Sequence, residues 1–139
     1  MELAAAPYAA RDARRAAREV LTAWAVPEGY VDDALLVVSE LVANAVRHAH
    51  TVSTLELELS DGGRRLRVAL ADGSSTAPRL RHAHYSAEDG RGMGILAALS
   101  DRWGIELHVG GKRVWWEVEL DPAYEDSATA RLEKATASA

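Results

Sequence analysis

Two stretches in the first third of the chain repeat their apolar residues at helical spacing. Over about residues 8–25 the apolar side chains fall on one face and the arginines on the other, which predicts an amphipathic helix. The proline and glycine within residues 27–29 are expected to end it. A nearly wholly apolar stretch over residues 34–46 predicts a second, largely buried helix, with Asp32 or Asp33 as its N-cap.

The middle and the end of the chain alternate apolar and polar residues with a period of two, the pattern of half-exposed strands. One pair of such strands covers residues 55–59 and 66–70, with a turn at Asp61-Gly62-Gly63. A second pair covers residues 105–109 and 114–120 and is joined by a Gly-Gly turn. Two antiparallel hairpins are therefore expected.

Between the hairpins, residues 72–92 show no periodicity and predict a long loop, a feature that often serves as a binding lid. A short helix is expected over residues 93–100, with Gly104 placed to stop it. Strands paired by tight turns, with helices in blocks, indicate an α+β two-layer sandwich. We expect a mixed, mostly antiparallel sheet of about four to five strands, with about three helices on one face.

Composition narrows the functional classes. The chain has 139 residues, with 16 Lys+Arg against 21 Asp+Glu, a net charge of −5, and no cysteine. An acidic chain argues against sequence-independent nucleic-acid binding, and no apolar run approaches the length of a membrane helix. We expect one cytoplasmic domain over residues 1–120 and a flexible, polar, alanine-rich tail over residues 121–139.

A polar stripe interrupts the apolar second helix. Glu40 and Asn44 are one turn apart, and Arg47 and His48 follow one turn later, so the four share a face. Carboxylate and carboxamide oxygens are ligands that Mg²⁺ accepts, and a glutamate can deprotonate a hydroxyl. The alternative is an ion pair of Glu40 with Arg47 or His48 on a solvated strip.

Asp72 continues the alternation of the second strand onto its core-facing side. A carboxylate there, at the strand end, can accept hydrogen bonds from a ligand amine. The alternative is that Asp72 only opens the turn that begins at Gly73.

A glycine-rich run precedes the short third helix: Gly90, Arg91, Gly92, Met93 and Gly94. Alternate glycines let a backbone approach a ligand closely, and a helix N-terminus favours phosphate. The alternative is a flexible hinge. In the same loop, His82 and His84 lack a third ligand for a metal site, and we expect them to add positive charge near phosphate.

These three motifs, in this order and setting, resemble the Bergerat ATP-binding fold shared by histidine kinases, gyrase, Hsp90 and MutL. Within that fold, residues 36–48 and Asp101-Arg102-Trp103-Gly104 look like the bacterial anti-sigma-factor serine kinases. The resemblance covers about residues 8–120. It implies ATP and Mg²⁺ as cofactors, a homodimer, and two partners, an anti-sigma-factor antagonist and an RNA polymerase sigma factor.

The resemblance also assigns roles. Asn44 would ligate Mg²⁺, Glu40 would be the general base towards a serine of the antagonist, and Asp72 would bind the adenine amino group. His48, Gly73 and the glycine-rich run, with Gly92 and Gly94 wrapping the phosphates, would complete the nucleotide site. Positioning and charge neutralisation are most of what phosphoryl transfer requires.

Two departures from the family pattern favour a second hypothesis, a non-catalytic ATP-binding module that sequesters a sigma factor or another regulator. Ser74 stands in the first glycine box where the family has glycine, which implies a looser adenine pocket. Arg113 stands where the family often has threonine before the last strand, which implies a lost hydrogen bond near the adenine. The retained Glu40 favours the kinase.

Overall fold

The computed structural model describes residues 1–48, 52–73 and 94–121. Residues 94–99 are helical and are called α3. The remaining elements, in chain order, are β1 (Glu2–Leu3), α1 (Ala9–Ala23), α2 (Glu28–His48), β2 (Ser53–Ser60), β3 (Arg65–Asp72), β4 (Arg102–His108) and β5 (Gly111–Glu119).

The strands form one sheet in the order β1-β2-β3-β5-β4. Both expected hairpins, β2–β3 and β4–β5, are present, and the long antiparallel pair β3–β5 joins them. The two-layer α/β sandwich is confirmed, although the described sheet is entirely antiparallel rather than mixed. The short edge strand β1 was not expected, because two residues are too few to show a period.

The core lies between the sheet and the helices. On β3 and β5 the helix-facing residues are buried cross-strand neighbours, and Trp116 is the largest of the side chains that are fully buried. The facing side of α2 contributes valines that are 0% exposed, including Val38 and Val42. Burying each such side chain contributes about 1.5–3 kcal/mol to the stability of the fold. This apolar contact therefore holds α2 against the sheet.

The first helix matches its expected range, and its end has a backbone signature. Ala25 has a positive φ of 57°, and the N–H of Val26 donates to the carbonyl of Leu21. This is the left-handed cap that terminates many helices, usually with glycine in that position.

The predicted start of α2 was wrong. The helix begins at Glu28, where the backbone N–H groups of Tyr30 and Val31 already donate to the carbonyl of Pro27. Proline suits the start of a helix, and an acidic side chain in the first turn complements the helix dipole. Asp33, expected as a cap, therefore lies inside the helix and is 0% exposed.

The role predicted for Gly104 was also wrong. The short helix α3 ends before it, and Gly104 lies within β4, directly opposite Trp115 of β5. A Cβ on Gly104 would lie 2.8 Å from Cζ2 of Trp115. The glycine therefore makes room for the indole ring.

The sheet face turned away from the core carries charged side chains around Trp115. Arg67 lies over the indole with its Cζ 4.6 Å from the ring centroid. Glu117 pairs with Arg65 at 3.2 Å and with Arg102 at 2.7 Å. Trp115 thus faces away from its neighbours Val114 and Trp116, as the alternation predicts.

Helices of the described ranges include none with both the length and the apolarity to cross a bilayer. The predicted loop beyond Gly73 and the predicted tail beyond Asp121 fall outside the described residues, apart from those end points.

Candidate functional site

The polar stripe on α2 is present as expected. Glu40, Asn44 and Arg47 are half-buried along a helix whose other positions in this stretch are mostly buried and apolar. One helical turn separates each from the next, so the three point to the same side. His48 is the last residue of α2, and its side chain lies outside the described part.

Asn44 has the most informative environment in the stripe. Its carboxamide oxygen, Oδ1, is inaccessible to solvent and accepts no hydrogen bond from any described residue. Burying such an acceptor without a donor costs about 1–3 kcal/mol. A hard cation beside it would satisfy this oxygen, so the donor set fits a Mg²⁺ ligand.

Glu40 has no charge-neutralising partner among the residues that the structure describes. Across residues 1–48, 52–73 and 94–121 it has no ion pair, so the alternative of a pair with Arg47 is not formed. The alternative of a pair with His48 falls on a side chain outside the described part. A half-buried carboxylate without a basic neighbour remains available to accept a proton or orient a hydroxyl.

The prediction that Asp72 faces the core is confirmed, since the residue is 7% exposed. Ser53 of β2 and Lys112 of β5 are its cross-strand partners on either side. These three residues form a buried polar row across the sheet, with exposures of 4%, 7% and 7% in the order Ser53, Asp72, Lys112.

Within this row the two charges are paired. Lys112 Nζ lies 3.2 Å from Asp72 Oδ2, and the side chains are 9% and 3% exposed. The register of β3 with β5 places them opposite each other, and the backbones approach closely here, because a Cβ on Gly111 would overlap the carbonyl oxygen of Asp72. Only glycine permits this approach of the two strands next to Lys112.

Arg113 does not lie beside Asp72, and the expectation that it replaces a threonine at the adenine was wrong. It is the partner of Ala71 in the register and points to the opposite face of the sheet. There it contacts Glu56 at 2.8 Å and Glu106 at 3.8 Å. Side chains alternate along a strand, so the residue beside Asp72 is Lys112.

Sequence reasoning missed Lys112 and Ser53. Both lie at core-facing positions of strands with alternating polarity, as Asp72 does. A polar residue at a core-facing position is the sequence feature that could have identified them. The pairing itself requires the register of β3 with β5, which local periodicity does not supply.

The glycine-rich segment is only partly visible. Gly90, Arg91, Gly92 and Met93 lie outside the described residues, while Gly94 is the first described residue of α3. A Cβ on Gly94 would meet no described atom within 4 Å. Packing among the described residues therefore does not require glycine there. Gly73 is exposed directly after Asp72.

A concave region lies away from these residues. It is a groove between α1 and α2 lined by four arginines together with Asp32, Leu35, Leu36 and Ser39. The arginines are Arg11, Arg14, Arg15 and Arg18. In the described part of the chain, no three histidine, aspartate or glutamate residues come together as a metal cluster.

Known proteins with similar sequences and structures share this fold. Residues 3–117 match the family model described as a histidine kinase-like ATPase domain. No curated protein matches the chain.

Two solved structures share the fold. The RsbU and RsbW domains of Rv1364c from Mycobacterium tuberculosis are similar at 24% identity and a TM-score of 0.64, over 88% of this chain and 33% of that one. Full-length ShkA in complex with AMPPNP is similar at 21% identity and a TM-score of 0.53, over 89% of this chain and 37% of that one. This chain thus spans about a third of the length of each.

Proposed function

Because this chain belongs to the family of histidine kinase-like ATPase domains, we propose that it binds Mg²⁺·ATP and acts as an anti-sigma-factor-like serine/threonine kinase. In this proposal it transfers the γ-phosphate to a serine of an antagonist protein and also binds a sigma factor. The family match supports ATP binding. The half-buried Glu40, which has no ion pair among the described residues, supports catalysis.

The observation that carries the proposal is the buried Oδ1 of Asn44, which has no donor among the described residues. Mg²⁺, when bound, would neutralise negative charge on the phosphates. Asn44 would hold it through Oδ1, an oxygen that the rest of the described protein leaves without a partner.

Glu40 lies one turn before Asn44 on the same face, so a hydroxyl brought to the phosphate-binding side would meet its carboxylate. In this role Glu40 accepts the proton of the attacking serine hydroxyl while that oxygen forms its bond to the γ-phosphorus. The bond from the γ-phosphorus to the bridging oxygen breaks, and ADP leaves.

Asp72 would bind the base, and Gly73 would let the nucleotide lie close to the strand end. His48 and the run Gly90, Arg91, Gly92, Met93 and Gly94 would contact the phosphates. The likeness of ShkA, solved with the ATP analogue AMPPNP, supports a nucleotide at this fold.

The partners follow from the likeness to the RsbW domain and from the motif resemblance. We propose a cytoplasmic homodimer whose partners are an anti-sigma-factor antagonist and an RNA polymerase sigma factor.

One observation favours a second candidate, a non-catalytic module in which ATP is a regulatory ligand. The carboxylate of Asp72 is paired with a buried ammonium, Lys112. A base must share Asp72 with this ammonium, which would weaken nucleotide binding and slow turnover.

The test separates binding from transfer. Calorimetric titration with a non-hydrolysable ATP analogue, with and without Mg²⁺, should show magnesium-dependent binding that Asn44→Ala loses. Transfer of ³²P from γ-labelled ATP to proteins of a cell extract should then be lost in Glu40→Gln, with nucleotide affinity retained.

Glu58→Gln is the matched control, since Glu58 is exposed on β2 and makes no ion pair in the described ranges. Binding without transfer in the unmodified protein would favour the regulatory module. Transfer at full rate in Glu40→Gln would exclude Glu40 as the base.

A further inference from the structure

The outward face of α1 carries a line of arginines. Arg11, Arg14, Arg15 and Arg18 follow one another at intervals that place them on one side of the helix. All four are exposed, and they line the groove between α1 and α2. The line is about 10 Å long, at roughly 1.5 Å of helix per residue. A chain with a net charge of −5 thus has a concentrated region of positive charge on this face.

Three of these four charges have no ion pair among the described residues. Arg18 contacts two carboxylates of α2, the nearer at 3.1 Å. Arg11, Arg14 and Arg15 form no ion pair within the part of the chain that the structure describes. An exposed guanidinium can bind a carboxylate through two parallel N–H donors. These three side chains are therefore available to an anionic partner.

The arrangement does not favour the stability of α1. Like charges three and four residues apart on a helix repel each other, and every one of the four arginines has such a neighbour. Arg11 also lies in the first turn, where the helix dipole disfavours a cation, whereas the last turn has no basic residue. The arginines are therefore better explained by a binding partner than by the needs of the helix.

The lining of the groove adds apolar contact to this charge. Leu35 and Leu36 of α2 lie beside the arginines, the first 9% exposed and the second half-buried, and Ser39 completes the lining. A helix with carboxylates on one face and apolar side chains next to them would match both features. Nucleic acid offers phosphates but no aliphatic side chains, and the net charge of −5 repels a long polyanion.

We propose that the groove between α1 and α2 is a docking surface for an acidic, amphipathic helix of a partner protein. Carboxylates of that helix, about one turn apart, pair with Arg11, Arg14 and Arg15, and its apolar side chains contact Leu35 and Leu36. The groove contains none of the residues proposed to bind the nucleotide, so this inference is independent of the proposed function.

The test uses a fluorescein-labelled helical peptide in the absence of nucleotide. The peptide is built from alanine, with glutamates at positions i, i+3, i+4 and i+7 and leucines beside them. Fluorescence anisotropy should show saturable binding that weakens at least about fivefold when NaCl rises from about 50 to about 500 mM, because salt screens exposed ion pairs. The same peptide with glutamine in place of glutamate should bind at least about tenfold more weakly.

Charge reversals locate the binding surface. Arg14→Glu should weaken binding of the acidic peptide about tenfold, because it replaces an attraction with a repulsion. Arg14→Lys keeps the charge and should stay within about threefold of the unmodified protein. Arg64→Glu is the matched control, since Arg64 is exposed in the β2–β3 turn and has no ion pair in the described ranges. It makes the same change in net charge and should alter the affinity less than about twofold.

Thermal unfolding checks that the variants are folded. Arg14→Glu relieves repulsion with neighbouring arginines, so its unfolding midpoint should be unchanged or raised. Arg15→Glu gives a second measurement of binding if Arg14→Glu lowers the midpoint.

Failure of the peptide to bind the unmodified protein would overturn this inference, as would equal weakening in Arg14→Glu and Arg64→Glu. Binding of single-stranded DNA or phosphatidylserine vesicles that depends on Arg14 and is tighter than binding of the peptide would overturn it too. These outcomes leave the proposed function intact, because the calorimetric nucleotide titration tests that function separately.

Discussion

Lys112 and Asp72 form an ion pair across β3 and β5, with Nζ 3.2 Å from Oδ2 and both side chains more than nine-tenths buried. Ion pairs at such depth lose most of their hydration, so each charge depends on the other. The pair therefore links the stability of the sheet to the chemistry of the candidate nucleotide site.

Removing one member of this pair should lower the stability of the folded protein substantially. We expect Lys112→Met to lower the free energy of unfolding by about 3–5 kcal/mol, because it removes the cation beside a buried carboxylate. Replacing both charges, as Asp72→Asn with Lys112→Met, should recover more than half of that loss. Urea denaturation followed by circular dichroism measures each value.

Arg113→Met is the control for the loss of a positive charge on β5. Its partners Glu56 and Glu106 have side chains 44% and 51% exposed, so the expected loss is about 1 kcal/mol or less. Equal losses in Lys112→Met and Arg113→Met would contradict the importance of burial.

Asn44 should show opposite effects on stability and binding. Asn44→Leu has a similar volume and removes a buried acceptor that has no donor in the described chain. We expect the nucleotide-free protein to gain about 1 kcal/mol while magnesium-dependent nucleotide binding is lost. Thermal unfolding with and without Mg²⁺·ATP analogue reports both quantities.

Ser39→Ala, one turn earlier on α2, serves as the comparison. The hydroxyl of Ser39 donates to the carbonyl of Leu35 at 2.9 Å, a local bond whose loss should change stability by about 0.5 kcal/mol or less. A marked loss of stability in Asn44→Leu would mean that Asn44 has a structural partner.

Gly104 is expected to tolerate no side chain. Gly104→Ala would place a Cβ 2.8 Å from the Trp115 ring, and the indole is also held by Arg67 on β3. Overpacking of this kind costs about 1–3 kcal/mol. Gly94→Ala is the control for stability, since no described atom lies within 4 Å of its added Cβ. A stability loss as large in Gly94→Ala would contradict the steric explanation.

The end of α1 offers a stabilising change. Ala25 has a φ of 57°, a left-handed conformation that costs an L-residue about 1 kcal/mol and costs glycine almost nothing. Ala25→Gly should therefore raise the free energy of unfolding by about 0.5–1 kcal/mol. The same change at Ala23, the last residue of α1, should lower it by a similar amount. Chemical denaturation of the two variants gives the comparison, and a loss in both would show that the cap is not strained.

Much of the architecture is encoded locally. The period-two stretches gave both hairpins and the inward direction of Asp72, because alternation on a pleated strand requires only adjacent residues. The helical spacing of apolar residues predicted the position of α1, and the apolar stretch over residues 34–46 predicted most of α2. The start of α2 was not predicted correctly. An aspartate such as Asp32 or Asp33 is a common N-cap residue but can also lie inside a helix, and here the first turn begins at Pro27.

The sequence by itself determined which residue types are present at the site: a carboxylate and a carboxamide one turn apart on α2, and an aspartate at the inward end of β3. Only the tertiary structure decided that Lys112, forty positions further along the chain, stands beside Asp72, and that Arg113 does not. The reason is physical, because the register between β3 and β5 is set by packing along the whole sheet. A shift of one residue would have exchanged the two side chains between the faces.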